Sequence, residues 1–127
     1  MVSYFPTGEE ELPNEKGLQF YENIIDECLK YGIEPMITIC HDELPIHLAN
    51  KYDGWSDPLI IDLYVRLCET LYERFGSEVK YWITFNELNV LQGYSHLGTK
   101  SSDAQTPIKQ SITYSLQVRK LKFSLIK

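Results

Sequence analysis

The sequence is poor in three features that would each indicate a particular class of protein. No apolar run approaches the roughly 18 residues that a membrane-spanning helix needs. Basic residues number 12 against 18 acidic ones, and the net charge of −6 argues against nucleic acid or an anionic membrane surface as a partner. Residues 1–6 have neither the basic nor the apolar region of a signal peptide. We therefore predict a cytoplasmic protein with no nucleic-acid and no membrane partner.

Cysteine is also scarce. The three cysteines, Cys28, Cys40 and Cys68, are an odd number, lie far apart and stand among apolar residues. A disulfide framework needs paired cysteines and an oxidising compartment. We therefore expect reduced, buried thiols that behave as small apolar side chains.

The residues that are present describe one modest globular domain of 127 residues, 43% apolar and 24% charged. Residues 1–13 and 42–56 have the composition of polar loops. Between and after them the apolar pattern predicts, in order, a helix, a strand buried on both faces, a second helix and a second strand, at residues 14–32, 36–40, 57–76 and 79–85. This order is typical of an α/β fold with parallel strands.

Each predicted strand ends in residues that can do chemistry, His41 after the first and Asn86-Glu87 after the second. In parallel α/β folds the loops after the carboxyl ends surround one opening, where ligands bind. A carboxylate directly after an apolar strand loses water, which raises its pKa, so Glu87 can give a proton to a leaving oxygen. The alternative stays open that Asn86 and Glu87 only cap the next helix, or that Glu87 pairs with a lysine.

A metal site is a second hypothesis for the first strand end. Its ligands would be His41, Asp42, Glu43 and His47. The His-x5-His spacing matches no common zinc pattern, and Pro45 prevents the two histidines from sharing a helical face. We therefore predict no metal and no cofactor.

Residues 81–89, Tyr-Trp-Ile-Thr-Phe-Asn-Glu-Leu-Asn, resemble the Thr-Phe-Asn-Glu signature of glycoside hydrolase family one. The preceding segment, from Phe5 to Pro58, is similar to that of the family's bacterial 6-phospho-β-glucosidases, and the resemblance covers about residues 4–92. Glu43 and the run Asn86-Glu-x-Asn favour the 6-phospho branch. The resemblance implies an α/β fold that forms part of a (β/α)8 TIM barrel, about two to three βα units. Residues 4–94 would be this barrel fragment, and residues 95–127 a divergent tail.

The resemblance also implies roles for individual residues of a retaining β-glycosidase. Glu87 would be the catalytic acid/base, Asn86 would hold the sugar 2-hydroxyl, and His41 would bind hydroxyls of the glycone. The substrate would be a β-glucoside, with or without a 6-phosphate. Trp82, in the strand before Glu87, is expected in the core, and Asp42 stands where the family has an aromatic residue.

The second catalytic carboxylate of a retaining glycosidase is missing from the sequence. The mechanism needs two carboxylates about 5–5.5 Å apart, yet no glutamate follows Glu87 and Asp103 is the only later acidic residue. A full barrel also takes about 250 residues. We expect a truncated or interrupted reading frame whose isolated chain is inactive. The alternative is a non-catalytic truncated product or an interaction module with no enzymatic role.

Overall fold

The computed structural model describes residues 1, 3–41, 43–86 and 98. Its regular elements are, in order, α1 Glu15–Lys30, β1 Met36–Cys40, α2 Ile46–Tyr52, a short 3-10 turn Gly54–Ser56, α3 Leu59–Phe75 and β2 Tyr81–Phe85. The predicted alternation of long helices and strands is confirmed, and the bounds of β1 are those predicted. No helix within these ranges is long and apolar enough to cross a bilayer.

The two strands pair in parallel, as predicted, with Met36 opposite Tyr81 and Cys40 opposite Phe85. The prediction that β1 is buried on both faces is wrong for its first residue. Met36 is 65% exposed, whereas Ile39 and Cys40 are buried. Only β2 pairs with β1 in the described part of the chain, so the amino end of the strand has little cover.

The prediction that residues 42–56 form a loop is also wrong. Helix α2 lies inside this stretch and begins directly after Pro45, whose side chain is fully buried. Leu48 is fully buried as well and anchors the short helix on the core. Seven residues carry too few apolar positions for a helical period to be detected.

The core is built mainly by α3 against the strands and the amino-terminal residues. The helical spacing predicts an apolar stripe on α3, of which Ile60, Leu67, Leu71 and Phe75 are buried and Leu63 is half-buried. The core also contains residues that the pattern did not single out: Met1, Tyr4, Phe5, Tyr64 and Cys68. No disulfide joins the three cysteines, which all lie among the described residues; Cys40 and Cys68 are buried as expected, whereas Cys28 is half-buried.

Candidate active site

The parallel register brings two of the predicted site residues to the same end of the sheet. The last paired residues are Cys40 and Phe85, and the Asn86 amide donates to the Cys40 carbonyl oxygen at 2.9 Å. His41 and Asn86 therefore follow neighbouring strands directly, at their carboxyl ends. His41 is exposed and Asn86 is half-buried. The predicted acid/base, Glu87, and the unusual Asp42 lie outside the described residues.

The carboxyl end of β2 rests on an aromatic cluster, which we define as Trp55, Tyr64 and Phe85. The Tyr64 ring stacks on Phe85 with centroids 4.5 Å apart, and Trp55 meets both rings edge-on. The Tyr64 hydroxyl also donates to the Thr84 carbonyl oxygen at 2.5 Å. Burial raises the pKa of Tyr64, so the phenol keeps the proton that it donates. This cluster fixes the backbone two residues before Asn86.

The sequence analysis did not identify Tyr64 as part of the aromatic cluster, although its helical spacing places it on the buried side of α3. Tyr64 stands four residues after Ile60 and four before Cys68, on the buried side of α3. Trp82 was predicted in the core rather than in the site, and the structure shows it half-buried and packed against the core. Its ring packs against Tyr72, and its Nε1 donates to the Val79 carbonyl oxygen at 2.9 Å.

The end of β1 is followed by a turn that the strand itself helps to close. The Cys40 thiol lies 3.9 Å from the Glu43 carbonyl oxygen, a weak S–H hydrogen bond across three residues. Helix α2 then begins after the buried Pro45. His41 is thereby placed at the rim of the sheet, between a paired strand and an anchored helix.

His47 does not join His41 in a common site. It lies in α2 and contacts the Glu9 carboxylate through Nε2. Tyr52 and Lys51 complete what we call the Glu9 clasp: the Tyr52 hydroxyl donates to Oε1, and Lys51 Nζ lies 2.9 Å from Oε2. The hydrogen bond from Tyr52, then those from Lys51 and His47, lower the pKa of Glu9 to about 2. The clasp fastens the amino-terminal loop to α2.

The metal hypothesis gains no support from the part of the chain that the structure covers. Among the described residues, which exclude Asp42, no three histidine, cysteine, aspartate or glutamate side chains come together as a ligand group. The contact between His47 and Glu9 gives that histidine a structural partner instead.

Comparison with known proteins gives consistent matches. The family model described as glycosyl hydrolase family 1 matches residues 3–121. The 6-phospho-β-glucosidase of Clostridium longisporum is 49% identical over 85 residues, which are 67% of this chain and 18% of that protein. The aryl-phospho-β-D-glucosidase BglA of Bacillus subtilis is 51% identical over 85 residues, with the same shares. The chain thus spans about a fifth of the length of these curated relatives.

A solved structure extends the match over nearly the whole chain. The β-glucosidase from Thermotoga maritima, in complex with galacto-hydroximolactam, superposes with a TM-score of 0.79 at 31% sequence identity. The superposition covers 98% of this chain and 30% of that one.

Proposed function

The chain belongs to glycosyl hydrolase family 1, and from this premise we propose that it carries the acid/base side of a retaining β-glycosidase site. The predicted fold class is confirmed as well: the chain is a partial α/β unit whose structural relatives are TIM-barrel β-glucosidases. The observation that carries the proposal is the adjacency of His41 and Asn86 at the carboxyl ends of paired parallel strands. That end of the sheet is where this fold class binds ligands.

We assign the roles as follows. Glu87, the next residue after Asn86, protonates the glycosidic oxygen and later activates water. Asn86 offers a donor and an acceptor to the sugar 2-hydroxyl, and His41 hydrogen-bonds hydroxyls of the glycone. The division into a barrel fragment, residues 4–94, and a divergent tail, residues 95–127, is part of the same proposal.

Two substrate classes compete within this proposal. The names of the C. longisporum and B. subtilis relatives support a 6-phosphorylated β-glucoside. The T. maritima relative, named simply a β-glucosidase, supports the unphosphorylated sugar. The identities hardly separate the two classes, because β-glucosidase 25 of Oryza sativa is 47% identical over 83 residues, against 49% and 51% for the two phospho-glucosidases. We favour the 6-phospho substrate because Glu43 and the run Asn86-Glu-x-Asn resemble that branch of the family.

The chain alone should not complete the reaction. A retaining mechanism needs a nucleophilic carboxylate about 5–5.5 Å from the acid/base, and Asp103 is the only acidic residue after Glu87. We therefore propose that the 127-residue chain by itself does not turn over an aryl 6-phospho-β-glucoside. Turnover by the purified chain that is abolished by Glu87→Gln would contradict this.

A graft tests the assigned roles in a barrel that has both carboxylates. Residues 4–92 of this chain replace the matching segment of B. subtilis BglA, and hydrolysis of phenyl 6-phospho-β-glucoside is measured. We expect the graft to be active and Glu87→Gln to lower kcat by about 10²–10⁴-fold, the usual contribution of a positioned acid/base. Glu73→Gln, on the exposed side of α3, is the matched control and should have little effect.

The leaving group separates an acid role from a structural one. A 2,4-dinitrophenolate leaves without much help from a proton, whereas phenolate needs one. Glu87→Gln should therefore lower kcat/KM, which reports cleavage of the glycosidic bond, far less with the dinitrophenyl substrate than with the phenyl substrate. Equal losses of kcat/KM with both substrates would show that Glu87 is not the acid. The same pair of substrates without the 6-phosphate decides between the two substrate classes.

A further inference from the structure

A glycine that follows β2 packs against the structure that follows β1. Gly98 is half-buried and has a left-handed backbone conformation, with φ +60°. A Cβ atom at this position would lie 3.0 Å from Leu44 Cδ2 and 3.3 Å from Ala49 Cβ. The Cα atom of Gly54 would be 3.6 Å away. We call this packing of Gly98 against Leu44, Ala49 and Gly54 the Gly98 contact.

Leu44, in the Gly98 contact, belongs to the turn that carries His41. It lies three positions after His41 and packs, partly buried, against the core. Ala49 lies in α2, which begins directly after the buried Pro45. Because His41 stands between the end of β1 and Leu44, the strand limits its backbone on one side along the chain and the Gly98 contact limits it on the other.

The Gly98 contact also joins the two strand ends a second time. At the sheet, the Asn86 amide donates to the Cys40 carbonyl oxygen at 2.9 Å. Farther along the chain, Gly98 meets Leu44. The segments that follow β1 and β2 are therefore joined at two points, and His41 lies between these points on the side of β1.

We propose that Gly98 is a positioning residue of the candidate active site, which holds His41 in place through Leu44. The proposal rests on the proposed function, in which His41 binds hydroxyls of the glycone. Glycine suits the position in two ways. Other residues rarely adopt a φ near +60°, and a side chain here would press on Leu44. Gly98 acts through Leu44 and needs no contact with the substrate.

Gly32 offers a matched control for the backbone strain. It also has a positive φ, +70°, but a Cβ atom there would meet nothing within 4 Å. Gly32→Ala therefore introduces an alanine in the left-handed region without a new contact. Any effect of Gly98→Ala that Gly32→Ala does not share comes from the packing against Leu44 and Ala49.

The full chain tests the contact directly by nuclear magnetic resonance. We expect nuclear Overhauser effects from the Gly98 α-protons to the methyl groups of Leu44 and Ala49. Gly98→Ala should shift the backbone amide signal of His41, whereas Gly32→Ala should leave it in place. Adding Leu44→Val, which removes the crowded Cδ2 atom, should return the His41 signal toward its original position. The proposal is overturned if the effects between β1 and β2 are present but the one to Leu44 is absent, or if both alanine variants shift His41 equally.

A barrel graft measures the consequence for the site and does not require the isolated chain to fold. The graft is lengthened to residues 4–100 of this chain, within the stretch that the family model matches, and kcat and KM are measured. Gly98→Ala should lower kcat/KM by about 10- to 100-fold, the cost of a misplacement of about 1 Å, chiefly through a higher KM. Gly32→Ala should change neither constant. The phenyl and dinitrophenyl substrates should lose kcat/KM by the same factor, because the acid is not displaced.

A double-mutant cycle with His41→Ala separates positioning from general damage to the fold. If Gly98 acts through His41, Gly98→Ala should cost little further kcat/KM once the imidazole is gone. Losses that multiply would overturn the proposal. A loss confined to the phenyl substrate would also overturn it, because it would mean that Gly98→Ala displaces Glu87 rather than His41.

Failure of this proposal can be distinguished from failure of the proposed function. If Glu87→Gln leaves the lengthened graft as active as before, the proposed function fails, and the Overhauser effects and the His41 signal still decide whether Gly98 positions His41. If Glu87→Gln behaves as expected but Gly98→Ala resembles Gly32→Ala, the positioning role alone fails.

Discussion

The amino-terminal segment, residues 3–11, and the carboxyl end of β2 are both fastened to helices, but by different forces. The carboxyl end of β2 rests on the buried aromatic cluster of Trp55, Tyr64 and Phe85. Tyr4 and Phe5 of the amino-terminal segment are buried in the core, whereas residues 7–11 are held by polar contacts, from the Glu9 clasp and from Arg66, which donates to the Gly8 carbonyl oxygen at 2.9 Å. Burial of aromatic rings stabilises far more than exposed ion pairs do. The strand end that leads to Asn86 is therefore more firmly held than residues 7–11.

The largest effect should follow from removing the centre of the aromatic cluster. Tyr64→Ala deletes a fully buried ring and should lower the free energy of unfolding by about 3–5 kcal/mol, the usual cost of a large aromatic-to-alanine change in a core. Urea unfolding followed by circular dichroism measures it. Tyr31→Ala, at a tyrosine that is 69% exposed, is the matched control and should cost little.

The milder Tyr64→Phe separates the hydroxyl from the ring. It keeps the stacking on Phe85 but removes the hydrogen bond to Thr84, at a cost of about 1 kcal/mol. If Tyr64→Ala costs no more than Tyr64→Phe, the ring contributes nothing and the contrast between the two regions fails.

An intermediate effect is expected where the amino-terminal segment touches α1. A Cβ atom on Gly17 would stand 2.0 Å from the Ser3 carbonyl oxygen, so the segment must move if alanine is introduced. Alanine normally favours a helix over glycine by about 1 kcal/mol. Here Gly17→Ala should instead destabilise the chain by about 1–3 kcal/mol, as overpacking does.

Gln19→Ala, on the exposed side of the same helix, is the control for helix propensity. Unfolding in urea again gives the free energies. A stabilising Gly17→Ala would show that the segment does not pack on α1 as the structure has it, and the comparison of the two regions would need to be redrawn.

The sequence predicted local features well and distant contacts poorly. The bounds of β1 follow from an apolar run of five residues between Pro35 and His41, and the shared end of the strands follows from the order of elements. The Glu9 clasp joins residues up to 43 positions apart, and no local pattern encodes such a pairing. The acidic run that contains Glu9 looks like an ordinary solvated loop until α2 is placed beside it.

The same limit explains the two errors in the predicted elements and one avoidable omission. Helix α2 is fixed by Pro45 and Leu48 rather than by a repeating stripe. Burial of Met36 depends on which segments pack over the faces of β1, and the strand's own residues do not specify these. Tyr64, by contrast, continues the spacing of the α3 stripe, and a stricter count of helical positions would have placed it in the core.

The smallest effect should come from the Glu9 clasp, and it has a defined pH dependence. The pKa of Glu9 is lowered from 4.5 to about 2 in the folded chain, so the unfolded chain binds the proton more readily. The stability that the clasp contributes is therefore present above pH 4.5 and is lost as the pH falls toward 2. Glu9→Gln should lower Tm slightly at pH 6 and make progressively less difference below pH 4.5.

Because the clasp is exposed, salt should reduce this difference in Tm too. A Tm difference that is constant from pH 6 to pH 2.5 would mean that the carboxylate charge plays no part, and that the segment is held by Phe5 and Arg66 alone.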